Sequence, residues 1–200
     1  MRGMFWNSRG LGDLAKHQHI ADCVKDHALD FVAITESGKR DFQTRDLDHF
    51  SCGYDYEWHV LPPSGRSGGI LLGIQSTYLE LLSTSKGEYH IKFHLRNKSD
   101  NFLWSLVAVY GAAQEEFKSA FLKELVNTCR DNPHPILIGG ISISFDISRK
   151  KTMTGLTLGG LSSSMLLLTA WTCESSLCLV VSTPGPITDL FQLTKNLTGY

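Results

Sequence analysis

The segment Ile136–Gly140, ILIGG, constrains this chain more than any other. A short apolar run that follows a helical pattern and the turn signals of Asn132–Pro135 has the character of a buried strand. Its double glycine allows close backbone approach, and strands ending this way commonly hand over a polar residue at a site. Here the next residues are Ile141, Ser142 and Ile143. The character of the chain also changes at this point: after Lys151 the only charges are Glu174, Asp189 and Lys195, in a background of Leu, Ser, Thr and Gly. That is neither a charged, leucine-poor linker nor an evident second domain. Residues 1–140 are therefore expected to form one domain, and 141–200 an irregular or poorly packed tail.

Upstream, strand and helix patterns alternate. Met4–Asn7 reads as a strand leading into the loop Ser8–Gly12, and Asp13 can cap the helix that follows. Leu14–His27 places Leu14, Ile20, Ala21, Val24 and Cys23 near one face at helical spacing. Asp30–Ser37, DFVAITES, is a continuous apolar strand that carries Glu36 to its C-terminal edge. Two readings of Glu36 stand at this point, a carboxylate delivered to a site and a charge that merely ends a strand. Gly38–Phe50 is polar and loop-like, with Lys39, Arg40 and Arg45.

Strand patterns follow at Tyr56–Leu61, Ser67–Gln75, Tyr78–Leu82, Tyr89–Leu95 and Phe102–Tyr110, separated by turn signals as in a run of hairpins. The glycines of Gly65–Gly69 lack the lysine, the Ser/Thr and the following helix of a phosphate-binding P-loop. Lys92, His94, Arg96 and Lys98 recur at period two, as either a solvated strand face or a nucleic-acid stripe. Tyr110 emerges at a strand end before Gly111, and Gln114–Arg130 is helical, with Phe117, Phe121, Leu122, Leu125 and Cys129 on one side.

Composition narrows the partners. A formal net charge of −1 gives no global attraction to nucleic acid or anionic membrane, so phosphate binding requires a local cluster. Five scattered cysteines fit neither a zinc site nor a disulfide framework and point to a reduced, intracellular chain. MRGMFWNSRG lacks the apolar core of a secretory signal, and serines together with Glu174 interrupt Leu161–Val181, so no membrane span is expected.

Six segments, FWNSRGLGD (Phe5–Asp13), DFVAITES (Asp30–Ser37), WHVLPPSGRSGGILLGI (Trp58–Ile74), IKFHLRNKSDNF (Ile91–Phe102), LVAVYGAAQEEFK (Leu106–Lys118) and ILIGG (Ile136–Gly140), occur in this order. Together they resemble the endonuclease/exonuclease/phosphatase superfamily, most closely the apurinic-type endonuclease domain of plant LINE (non-LTR) retrotransposons. The resemblance implies an α/β fold, a four-layer αββα sandwich of the DNase-I-like kind, incomplete in this chain. It also implies phosphodiester hydrolysis with Mg²⁺ or Mn²⁺, DNA as partner, nuclear localisation, no small-molecule cofactor and a reverse transcriptase domain downstream in the parent element. A hard cation takes carboxylate and amide oxygens, and charge building on phosphate needs fixed donors and the metal. The resemblance assigns Asn7 to a hydrogen-bonding amide of the site, Glu36 to the metal and Tyr110 to phosphate contact. Lys39, Arg40, Arg66, Lys92 and Arg96 are candidate nucleic-acid contacts. Where many members carry an acidic residue two positions beyond the asparagine, this chain has Arg9.

After the double glycine the family continues Asp-Phe-Asn, whose Asp and Asn hold and activate the attacking water. This chain has Ile141-Ser142-Ile143. Back-translating Gly140 onward as GGG-ATT-TCA-ATA-TCA-TTC and starting at the last base of the glycine codon gives GAT-TTC-AAT-ATC-ATT, which encodes DFNII. The same shift lets Arg149–Thr154 encode EKNND, Cys178–Gly185 encode SGRQYTW and Phe191–Tyr200 encode PTYEKLDRV, each similar to the plant domain at the corresponding place. Residues 141–200 are therefore expected to be a frameshifted tail, and even the restored frame would stop before the family's final Asp-His pair. Three functional classes follow: an active metal-dependent endonuclease, a non-catalytic nucleic-acid-binding remnant, and an inert retroelement fragment.

Overall fold

A computed structural model describes residues 1–63, 68–111 and 114–140, together with the backbone alone of 167–173 and 176–182. Its elements are β1 (Gly3–Asn7), α1 (Leu14–His27), β2 (Phe31–Thr35), α2 (Thr44–Ser51), β3 (Tyr56–Leu61), β4 (Ile70–Gln75), β5 (Leu79–Lys86), β6 (His90–Asn97), β7 (Leu103–Val109), α3 (Glu115–Arg130) and β8 (Ile136–Gly139). A hairpin of β9 (Leu167–Cys173) and β10 (Ser176–Ser182) follows.

Two four-stranded mixed sheets carry the domain, in the orders β1-β2-β4-β3 and β5-β6-β7-β8. Each contains one parallel pair whose strands are joined across a helix: β1 with β2 through α1, and β7 with β8 through α3. A parallel connection must cross over the sheet face, and these two helices do so. The remaining pairs are antiparallel.

Period-two alternation divides the side chains between layers. Ala33, Ile70, Leu72 and Ile74 of the first sheet pack against Ile91, Phe93, Leu95, Leu106 and Ala108 of the second as the central core. The outer face of the first sheet buries Val32, Ile34 and Leu71 against Ile20, Val24 and Phe50 of α1 and α2. The outer face of the second buries Val107, Val109, Ile136 and Ile138 against Phe121 of α3. Helix, sheet, sheet and helix form the expected α/β sandwich.

Four local expectations differ from the structure. Gly38–Phe50 contains α2, whose only large apolar residues are Leu47 and Phe50; their i, i+3 spacing covers the sheet with one short stripe. Leu14 is 79% exposed, because at the first position of α1 it faces solvent while Ile20, Ala21 and Val24 form the buried face. Phe117 and Leu122 likewise lie on the exposed side of α3, at 46% and 48%. Lys92 is only 7% exposed, so it belongs to no solvated strand face: α3 covers this side of β6. Beyond Gly140 the hairpin β9–β10 is regular structure that periodicity does not anticipate; the frameshift reading and the rest of the tail lie outside the described residues.

Candidate functional site

The parallel register of β1 and β2 sets Asn7 beside Thr35, so that Glu36 begins the loop immediately beyond the strand end. Asn7 Nδ2 donates to Glu36 Oε1 at 2.9 Å, and Asn7 Oδ1 accepts from the backbone N–H of Arg9 at 3.1 Å. Glu36 has φ of +53°, a left-handed conformation that costs a non-glycine residue about 1–2 kcal/mol. Hydrogen bonds hold it there: its carbonyl accepts from Gly10 N–H at 2.6 Å and from Ser8 Oγ at 3.1 Å. Ser37 O accepts from Leu11 N–H at 2.9 Å.

Lys16 secures the facing loop. Its ammonium, from the first turn of α1, donates to Ser8 O at 2.7 Å and Gly10 O at 2.8 Å. Leu11 is fully buried and His17 Nε2 lies 3.0 Å from its carbonyl, so the loop read as a simple turn is anchored at both ends.

Glycines from both sheets close in on the same place: Gly68 and Gly69 lead into β4 of the first sheet, and Gly140 follows β8 of the second. Gly68 O and Gly69 O accept from Gly38 N–H and Ser37 N–H at 3.1 and 3.2 Å. A Cβ on Gly68 would lie 3.1 Å from Tyr110 Cε1, which places the Tyr110 ring against that backbone. Gly140 has φ of +89°, and a Cβ there would stand 2.8 Å from Thr35 Cγ2 and 2.9 Å from Val109 O. The ends of β1, β2, β7 and β8 thus converge with Asn7, Glu36 and Tyr110, each half-buried.

Two residues missed by sequence reasoning flank Glu36. Thr35 Oγ1 and Ser37 Oγ are buried with no hydrogen-bond partner among the described residues, which is uncommon for buried hydroxyls. The only sequence signal was their position on either side of the carboxylate in DFVAITES.

Among the described residues the donor set is a minimal one for a catalytic divalent-metal centre. Among the described residues no group of three or more His, Cys, Asp or Glu side chains could hold an ion. Among the described residues Glu36 is the one carboxylate of the cluster, its neighbour Asn7 presents an amide donor, and Arg9 stands where a second acid would help. Mg²⁺ is usually held by one or two carboxylates plus substrate phosphates and waters. One carboxylate already engaged with an amide is at the weak limit of that range.

The four basic candidates among the described residues are divided between the loop after β2 and strand β6. Lys39 Nζ lies 3.6 Å from Asp46 Oδ2 and 5.4 Å from the Phe42 ring centre, and Arg40 is exposed on the same loop after Glu36. Arg96 donates to Glu80 Oε2 from Nε at 2.8 Å and from Nη2 at 2.6 Å. Lys92 lies under α3, and Arg66 is outside the described residues.

Residues 4–140 match the endonuclease/exonuclease/phosphatase family. No curated protein gives a significant match. Among solved structures, the human Nocturnin catalytic domain with bound sulfate is similar, at 15% identity and a TM-score of 0.55 over 74% of this chain and 65% of that one. An endonuclease/exonuclease/phosphatase from Bacteroides vulgatus aligns at 11% identity and 0.56, over 74% and 67%. Truncated Caenorhabditis elegans TDP2 aligns at 14% and 0.52, over 91% and 83%. At such identities the likeness concerns the fold, and the chain spans 65% and 67% of the first two structures.

Proposed function

Because the chain belongs to the endonuclease/exonuclease/phosphatase family, whose members are phosphoesterase-type hydrolases, we propose that it is a degenerate DNA phosphodiesterase domain of the plant LINE kind. It keeps part of the ancestral site and does not turn over. One observation carries this reading: Asn7 and Glu36 remain bonded at the strand ends, while Gly140 is followed by Ile141-Ser142-Ile143 in place of the water-holding Asp and Asn.

The surviving pieces can orient but not activate. Glu36 can hold one polar partner, and the Tyr110 hydroxyl can contact a phosphate oxygen. Among the described residues no carboxylate or imidazole is hydrogen-bonded to Glu36, whose side-chain partner is Asn7. General-base help contributes about 10²–10⁴-fold, and groups that act as a unit leave little when one is lost. The same reading treats residues 141–200 as translated out of frame, and places the parent element's product in the nucleus with a reverse transcriptase downstream.

Incubation of the purified chain with supercoiled plasmid and Mg²⁺ or Mn²⁺ tests the proposal: no nicking is expected. Cutting that disappears in Glu36→Gln would overturn it. Nucleotide sequence across the codons for Gly139–Ile141 tests the frame; related copies with an intact coding frame that also read GGISIS would refute the shift.

A non-catalytic DNA-binding remnant is the second reading, favoured by exposed Arg40 beside Lys39 on the loop that leaves Glu36. It requires binding that weakens steeply with salt and occurs without cleavage.

A further inference from the structure

On β6, Ile91, Phe93 and Leu95 face the core between the sheets, which sends His90, Lys92 and His94 to the opposite side, under α3. A groove of about 480 Å³ lies there between α3 and the β5–β6 hairpin. Lys92 lines it at 7% exposure, and its ammonium makes no hydrogen bond or ion pair with any described residue. Burial pushes the Lys92 pKa down, and the nearby Cys129 and Asp131 pull it part of the way back up.

Neither acidic residue of the groove forms an ion pair with Lys92. Glu124 is committed to the hairpin: its carboxylate accepts from Glu88 N–H at 3.2 Å, Tyr89 N–H at 3.0 Å and His90 Nδ1–H at 2.6 Å. Asp131, at the exposed end of α3, acts on Lys92 through its charge alone, without an ion pair. His90 Nε2 sits 3.3 Å from Thr128 Oγ1, so both ring nitrogens are occupied and the imidazole acts as wall. The remaining polar lining, Lys123, Asn127 and Ser85, offers one further cation, an amide and a hydroxyl.

We propose that this groove is a binding site for a compact oxyanion, a phosphate or phosphoryl group, with Lys92 at its floor and Lys123, Asn127 and Ser85 around its mouth. Its volume is that of a small-molecule site. The floor lies beneath a helix, so a free anion or a small phosphorylated molecule reaches it where a duplex backbone does not. The site is independent of the Asn7–Glu36 cluster and of any hydrolytic function.

Thermal unfolding of the full chain in sodium phosphate, against sodium chloride of equal ionic strength, tests the inference. A ligand that binds only the folded state raises Tm in proportion to the logarithm of its concentration above Kd. The expected result is such a rise in the wild type and in Glu36→Gln, and none in Lys92→Met. Lys123→Ala, at an exposed position, moves the phosphate dependence about threefold to higher concentration. A nucleoside 5′-monophosphate acting at lower concentration than phosphate identifies a phosphorylated ligand; phosphate acting alone identifies the free anion. No phosphate-specific rise, a rise unchanged in both lysine variants, or a rise lost only in Glu36→Gln overturns the proposal.

Discussion

Asn7 Nδ2 donates to Glu36 Oε1 across 2.9 Å, although 29 residues separate the two in sequence. The parallel register of β1 and β2 creates this contact, and the left-handed backbone at Glu36 turns the carboxylate toward it. An amide donor facing a carboxylate is stable without a cation.

Exchanging that donor for an acid should reverse the balance. Asn7→Asp sets two carboxylates in contact and is expected to lower stability at neutral pH by about 1–2 kcal/mol through like-charge repulsion. Millimolar Mg²⁺ should restore Tm in the variant and leave the wild type unmoved. Calorimetry with and without EDTA reads both; a wild-type Tm that depends on Mg²⁺ would contradict the poor metal fit.

Glycines with the same backbone should respond differently to alanine. Gly10 (φ +91°) has no atom within 4 Å of an added Cβ, so Gly10→Ala meets backbone strain alone and should cost about 1 kcal/mol. Gly140→Ala adds collisions with Thr35 and Val109 to the strain and should cost about 3 kcal/mol or more. Urea denaturation of the two variants compares them directly.

At the end of α1, Ala28 occupies the left-handed capping position at φ 44°, ψ 62°. Ala28→Gly removes the Cβ penalty at a position where glycine is preferred, and should raise stability by about 1 kcal/mol, or Tm by about 2–4 °C.

His94 should make the domain acid-sensitive. Burial, then the charge of Lys92, then His134 hold its pKa below the ordinary 6.5. The unfolded chain therefore binds a proton at higher pH than the folded one. Stability is full above about pH 7 and declines as pH falls through 6.5 until the lowered folded-state value is passed. His94→Gln, which can keep the bond with Ser105 Oγ now 2.9 Å from Nδ1, should flatten Tm between about pH 7.5 and pH 5.

The strands were legible because each is a compact apolar run: DFVAITES, SGGILLGIQ and ILIGG foreshadow β2, β4 and β8. The long helices followed from 3.6-residue spacing. α2 was hidden because Leu47 and Phe50 alone mark it, too few to stand out among charged neighbours. At the site, Asn7 and Glu36 were recognisable at strand ends, but their contact depends on register, which local pattern does not encode. Lys92 shows the same limit from the other side: alternation placed it on the outer face of β6, and only the position of α3 decides that this face is covered.

The seat of Gly140 has a practical outcome. Thr35 and Val109 stand against it, both contributed by strands upstream of position 140. The first 140 residues thus offer a socket with a fixed heading, to which a foreign continuation could be grafted at position 141 without recutting the scaffold.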